Sequence, residues 1–457
     1  MKVSTWPLAA LIFGQFPLKK FDEPLPTNRK VIFCETFLRP CSVFPNEISI
    51  NVRDVKLLHL CSRSIAHSAS RLAWFNHQIS EEPEIQPHLP LQGIRILDMS
   101  WLLPGPFATA ILADLGAEVI KIEQPNGGDY MRSLSPELFA KVNVNKKSVV
   151  CDLKLPAGIE LFRQLLETAD VVVEGFRPGV TSRLGVDADS LSRIRKDLIH
   201  VAFTGYGQLG PMAQHSGHDI NYLALAGALG IPGHWGEDAR RSGLPVGDLA
   251  ASLYGVINVL LALRKRDAGG GGSKIDLSIA DSVLHWSNTR FGDYDPNASG
   301  EKWKHVKPGN DIFRTSDGRH VAFGIIEEKF WLNFCMAIER ADLVPLFAAQ
   351  LEDPSVGRHM RDSITQVIAG GSLAFWTQLF DGKDVPCSSV NMPSEALAEE
   401  QFASRSMVAE VHMANGSAVP IIGLPGSLFG RTHADPKALR PAPDLGADTT
   451  SILRDSH

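Results

Sequence analysis

Between Gly93 and Glu123 the chain alternates in a way that leaves few folds open. Ile94-Arg95-Ile96-Leu97-Asp98-Met99 is a short apolar run with the composition of a strand. Pro104-Gly105-Pro106 then opens a helix, proline being at home in a first helical turn, and Phe107, Ile111, Leu112 and Leu115 carry it. Gly116 stops that helix, and Glu118-Val119-Ile120-Lys121-Ile122-Glu123 reads as a second strand. Strand, helix and strand within about 30 residues make a βαβ unit. Such a unit requires parallel pairing and a crossover, and a parallel sheet needs helices on its faces.

The same alternation continues. It predicts helices over 158–168, 222–229, 249–266 and 280–286, with strands over 170–174, 198–203 and 275–277. The glycine run Gly269–Gly272 lies between a basic helix end and a strand, and reads as a surface turn. The first turn between strand and helix is Trp101-Leu102-Leu103-Pro104-Gly105-Pro106, without G-x-G-x-x-G, so the sheet is Rossmann-like in build but lacks the dinucleotide fingerprint. Walker A, H-E-x-x-H and G-x-S-x-G patterns are absent. After about residue 297 the pattern changes. Asp311–Thr315 and His320–Gly324 flank Ser316-Asp317-Gly318-Arg319, a hairpin signal, and helices follow over 330–338 and 360–369.

The chain has 457 residues, too many for one core. The expected class is α/β: a Rossmann-like parallel-sheet large domain over 93–296, a smaller α+β domain over 297–410, and a tail over 411–457 that returns to the large domain. Residues 1–92 show no sustained period and read as an extension of unknown role, or as a start codon placed too early.

A formal net charge of −6 argues against a nucleic-acid binder, and any anionic ligand then depends on a local basic pocket. Cys34, Cys41, Cys61, Cys151, Cys335 and Cys387 form no C-x-x-C, so they read as free thiols in a reducing, cytoplasmic setting, with no disulfide frame and no zinc site. No apolar run is expected to reach the length of a membrane span. The short apolar start contains Pro7 and lacks a small-residue cleavage site, so a secretory signal is disfavoured.

Two polar residues stand in glycine-marked turns ahead of apolar, helix-like runs: His218 in Ser216-Gly217-His218-Asp219-Ile220-Asn221-Tyr222, and Asp248 in Pro245-Val246-Gly247-Asp248-Leu249. A turn feeding a helix can aim a side chain into a cleft and leave the first N–H groups for an anion. A histidine and a carboxylate so placed would pass a proton across a carbon acid. Each residue also has an ordinary structural reading. His218 is a turn histidine, and Asp219 caps the helix beginning near Tyr222. Asp248 is a helix cap whose dipole environment lowers its basicity unless burial offsets it, and Glu327 is a first-turn helix glutamate. Lys121, Lys154, Arg177 and Arg183 fall at strand ends or just after strands, the side on which ligands of open α/β sheets bind, and four cations there suit phosphates.

Longer blocks decide between these readings. Gly93–Asp98, Gly105-Pro106, Leu112–Glu123, Val173–Val180, Arg183-Leu184-Gly185 and Thr204–Pro211 resemble the family III CoA-transferase superfamily, over about 93–409. Gly217-His218-Asp219-Ile220-Asn221-Tyr222-Leu223-Ala224-Leu225 resembles its α-methylacyl-CoA racemase branch. The resemblance implies an interlocked homodimer acting on an acyl-CoA, with coenzyme A arriving as part of the substrate and no other cofactor or metal. It implies that His218 and Asp248 are the two bases of a racemisation through an enolate, that Glu327 of the partner subunit pairs with His218, and that the basic residues hold the nucleotide. Two departures stand beside it. Leu249-Ala250-Ala251-Ser252-Leu253-Tyr254 is closer to the transferase style, and Gln124 replaces a basic residue common in the racemases. In the transferases an aspartate at the place of Asp248 forms an aspartyl-CoA thioester, so a CoA-transferase is the alternative. A non-catalytic acyl-CoA-binding relative is a further one.

Overall fold

The computed structural model describes residues 89–235, 240–298, 301–350, 353–413, 416–426 and 439–455. The expectation for residues 1–92 lies, up to residue 88, outside the described residues.

The large sheet has six strands: β1 (Arg95–Met99), β2 (Glu118–Glu123), β3 (Lys147–Val150), β4 (Val171–Glu174), β5 (Ile199–Thr204) and β6 (Ser273–Ser278). Their order is β3-β2-β1-β4-β5-β6, and every pair is parallel. The order reverses at β1, where the chain crosses to β4, so the sheet has a topological switch point between those two strands. The strands are short and rich in Val and Ile because both faces are covered. On one face Ile96, Val119, Val173, Val201 and Phe203 pack against α1 (Pro104–Asp114) and against a long helix, Val246–Lys265. On the other, Leu97, Ile120, Val149 and Val172 meet Phe162, Leu165 and Leu166 of a second helix, Pro156–Leu166.

Continuing the labels in chain order, α2 is Pro136–Asn143, α3 Pro156–Leu166, α4 Val180–Leu184, α5 Ala188–Ile194, α6 Asp219–Leu225, α7 Val246–Lys265 and α8 Ile279–Ser287. The expected βαβ unit is present, with β1 and β2 in parallel register from Arg95↔Glu118 onward. Sequence periodicity missed α2 and β3. They are eight and four residues long, too short to show a period, and local chemistry defines α2 instead: Ser135 accepts from Leu138 N and Pro136 opens the helix.

Helix α7 corrects one expectation. By length and composition it is apolar enough to cross a membrane, with mean hydropathy 1.8. Half of that stretch is buried against the sheet, which accounts for the apolar residues on that side. It lies very close to the strands. A Cβ at Gly255 would fall 2.3 Å from the Phe203 ring, so only glycine allows this approach.

Beyond the large sheet, β7 (Asn310–Arg314), β8 (His320–Gly324) and β9 (Cys387–Ser389) form an antiparallel sheet. The expected hairpin is there, with Gly318 at φ 77° in its turn. Against it pack α9 (Glu328–Ala337), α10 (Pro354–Ile368) and α11 (Leu373–Phe380) around Trp331, Phe334, Ile364, Trp376 and Phe380. A last hairpin, β10 (Val408–His412) and β11 (Ala418–Ile422), packs its Val411, Val419 and Ile421 on Phe139 and Ala140 of α2. The helix α12 (Thr449–Asp455) returns to β3: Asp448 and Thr449 side chains accept from Ser148 N and Val150 N at 2.9 and 3.1 Å.

Candidate active site

The segments after β1, β4 and β5 meet the starts of α6 and α7 around a cavity of about 410 Å³. Ser100, Trp101 and Leu102 come from the first, Gly175, Phe176 and Arg177 from the second, Thr204 and Gly205 from the third. This is the carboxyl-end side of the sheet at the switch point, where an open α/β sheet binds its ligands.

A buried charge network holds the floor. Asp98, at the end of β1, accepts from Ser100 N at 2.9 Å, from the Ser100 hydroxyl, and from Thr109 Oγ1 at 2.6 Å. Lys146 Nζ lies 3.1 Å from Asp98 Oδ2 and also donates to Pro106 O, Thr109 Oγ1 and Asn143 Oδ1. Burial works to raise the Asp98 pKa, but Lys146, Lys121 and the two hydroxyls outweigh it and hold the group well below the usual carboxylate range. Burial likewise brings Lys146 down to about 8, against the pull of Asp98. Asp129 accepts from Leu102 N and Met131 N. Leu102 is thereby kept at φ 66°, a left-handed conformation rarely adopted by leucine.

His218 is the N-cap of α6, exposed and facing the cavity; its N–H donates to Asn221 Oδ1 at 3.1 Å. Asp248 lies in the first turn of α7 and lines the same cavity, so the fold brings the two residues together although 30 positions separate them. Burial, helped by the nearby charge of Asp219, pushes the Asp248 carboxyl up to about 7. That places it between its two protonation states near neutrality, as a general acid or base requires.

Three local expectations are corrected. Asp248 is not the helix cap: Pro245 holds that position, and α7 begins at Val246. Asp219 does not cap its own helix but begins it, and its carboxylate accepts from Gly247 N at 2.7 Å and Asp248 N at 3.3 Å. The first N–H groups of α7 are therefore engaged, Leu249 N being bonded to Pro245 O, and do not form a vacant anion site.

The basic residues separate. Arg177 is exposed and lines the main cavity. Lys154 is exposed in a smaller cavity of about 210 Å³, which also contains Gln124 and shares the Trp101, Tyr130 and Phe176 wall. Arg183 is exposed on α4 and lines neither cavity. Lys121 is corrected: it is fully buried, 2.9 Å from Asp129 Oδ2 and from Ser100 O, and so braces the loop instead of reaching a phosphate. Glu327 is the exposed N-cap of α9 and lines neither cavity of its own chain.

Sequence reasoning missed the aromatic wall. Trp101 stands edge-on to Tyr130 at 4.7 Å and to Phe176 at 6.3 Å. Tyr222 packs on Tyr206, and its hydroxyl donates to Gly217 O at 2.6 Å, fixing the turn before His218. His215 also lines the cavity. Trp101 and Phe176 each sit two residues past a strand end, the signal that would have found them.

The comparisons agree on the kind of protein. CoA-transferase family III matches residues 91–449. Human succinyl-CoA:glutarate CoA-transferase is 30% identical over 383 residues, covering 80% of this chain and 86% of its own. Mouse alpha-methylacyl-CoA racemase is 30% identical over 373 residues, covering 80% and 93%. Among solved structures, the Rv3272 protein of Mycobacterium tuberculosis has a TM-score of 0.68 at 27% identity, covering 80% of this chain and 100% of its own. A CaiB/BaiF family protein of Brucella suis shares the fold at the same TM-score and 24% identity, covering 80% and 99%. On sequence and fold together, the chain belongs to CoA-transferase family III.

Proposed function

We propose that the protein racemises a 2-methylacyl-CoA by two-base 1,1-proton transfer. The observation that carries this reading is the presence of His218 and a near-neutral Asp248 in one cavity. The thioester binds with its α-carbon between the two residues. One base takes the α-proton, the C–H electrons pass into the enolate, and the other residue returns a proton to the opposite face. The bases exchange roles in the reverse direction, so atoms and charge balance over the cycle. Positioned acid/base groups contribute about 10²–10⁴-fold each. Arg177 and Lys154 suit the nucleotide phosphates, and the Trp101, Tyr130 and Phe176 wall suits the adenine and pantetheine. No step calls for a metal or a further cofactor.

We read the working form as a homodimer in which Glu327 of the partner subunit orients His218. Leu253, Ile257 and Leu261 on α7, with Leu284 on α8, leave apolar surface exposed on one chain, which supports an interface there.

A CoA-transferase is the second reading. It is favoured by the transferases among the relatives, including the succinyl-CoA–L-malate CoA-transferase alpha subunit of Chloroflexus aurantiacus at 30% identity. There Asp248 attacks the thioester carbonyl and CoA thiolate leaves, giving a mixed anhydride. The thiolate attacks its aspartyl carbonyl and expels the donor carboxylate, giving an aspartyl-CoA thioester that passes CoA to the acceptor carboxylate by the same two steps in reverse. That nucleophile must be ionised, as must Asp248 when it acts as the base of the racemisation, so its raised pKa is compatible with both readings. Incubating a chiral 2-methylacyl-CoA in D₂O with and without a second carboxylic acid separates the two. Deuterium at the α-carbon without acceptor supports racemisation. Acceptor-dependent CoA exchange without label overturns it, and neither activity would mark a binding protein.

A further inference from the structure

Asp219 is buried and follows His218 directly as the first residue of α6. Its carboxylate serves a different helix. Oδ1 accepts from Gly247 N at 2.7 Å and from Asp248 N at 3.3 Å, while Oδ2 is buried with no hydrogen-bond partner. The fit is close: a Cβ at position 247 would lie 3.0 Å from Asp219 Oδ1 and 3.0 Å from Val283 Cγ2, tighter than an ordinary contact. A half-satisfied buried carboxylate is costly to keep where capping alone is at stake, since a neutral acceptor would take the same N–H.

We propose that Asp219 is a positioning residue of the site, whose carboxylate clamps the backbone of Asp248 to the helix start that carries His218. The proposal rests on the acid/base reading of that pair. One side chain thus sets the span between two groups supplied by separate helices. Its charge also stands beside Asp248 and favours the protonated form of that carboxyl. The other titratable or charged groups on this side are His218, His215, Arg177 and Tyr130 around the cavity, with Tyr222 and Tyr206 next to them.

Two variants separate position from charge. Asp219→Asn keeps an oxygen for the two N–H groups and removes the charge; Asp219→Ala removes both. In the full chain labelled with ¹³Cγ-aspartate, the Asp248 resonance is identified by its loss in Asp248→Asn and titrated. The expected result is a midpoint near neutrality in the wild type that falls by about one unit in Asp219→Asn. Asp219→Ala is expected to lower the α-deuteration rate by about 10²-fold with KM changed little, the size of effect a misplaced group of this kind produces. Asp219→Asn retains most of the rate, with its pH profile moved to lower pH. Unchanged Asp248 titration in Asp219→Asn together with an unchanged rate in Asp219→Ala overturns the proposal. If Asp219→Ala fails to fold by circular dichroism, Asp219→Asn alone decides through its titration and pH profile. The titration needs no turnover, so a protein that exchanges no deuterium yet shows the shift rejects the acid/base reading while upholding the placement of the Asp219 carboxylate against Asp248.

Discussion

Lys146 and Asp98 form an ion pair 3.1 Å long with no exposure of either side chain, directly beneath the loop that begins the cavity. The lysine meets oxygens from Thr109, Pro106 and Asn143 as well, so its charge is fully surrounded. Removing Lys146 leaves Asp98 buried without its ion-pair partner, offset only by Lys121 and the Ser100 and Thr109 hydroxyls. Lys146→Met is expected to destabilise the protein by about 3–5 kcal/mol, read from urea unfolding followed by circular dichroism. A loss below about 1 kcal/mol would show that solvent reaches Asp98 once the lysine is gone.

Asp248 has the opposite character. Its folded pKa of about 7 lies above the ordinary aspartate value near 3.8, so the folded state holds a proton that the unfolded state releases. Wild-type stability from this group is therefore complete below about pH 4 and is lost as pH rises through 7. Asp248→Asn removes the penalty. The variant should be inactive yet more stable than wild type at pH 8, by about 1–3 kcal/mol, with the difference vanishing near pH 4. Thermal melts of both proteins across that range check the sign, and equal melting curves at pH 8 would reject it.

Two lysines offered as phosphate ligands on the same grounds should now behave differently. Lys154→Ala is expected to raise KM for the CoA thioester about 5–10-fold with little change in melting temperature, and the effect should shrink in high salt. Lys121→Ala should lower the melting temperature by several degrees, because it strips Asp129 of its buried partner. Matching KM effects with no loss of stability in Lys121→Ala would restore it as a ligand.

The contact between α7 and the sheet tests packing at the edge of the cavity, which Phe203 also lines. Gly255→Ala drives a methyl group into the Phe203 ring and should cost about 1–3 kcal/mol. Combining it with Phe203→Leu should recover part of that loss, because the ring that collides is removed. Additive losses in the double variant, measured by denaturant titration, would count against the contact.

Much of the scaffold was legible. The Val- and Ile-rich runs at β1, β2, β4 and β5 are strands because they are buried on both faces, and Pro104 and Gly116 bracket α1 by backbone chemistry alone. The hairpin around Gly318 was legible for the same reason. What escaped depended on residues distant in sequence. Asp219 looked like a local cap because nothing nearby revealed that its carboxylate is used by Gly247 and Asp248. Lys121 looked like a ligand because strand position shows which end of the sheet a residue is near, but not that Asp129 has already taken it. The shift at Asp248 belongs to the same class, since burial is a property of the assembled fold.

The edge strand β3 is completed by residues 300 positions further along the chain, where Asp448 and Thr449 accept its outward N–H groups. During synthesis that edge is made early and stays unpaired until the segment around α12 emerges. An open strand edge is a template for wrong pairing, and here it is exposed for most of the time the chain takes to be built. The sheet therefore has an order of vulnerability as well as an order of strands, and late truncations or slow C-terminal translation would be felt first as aggregation, before any loss at the distant cavity.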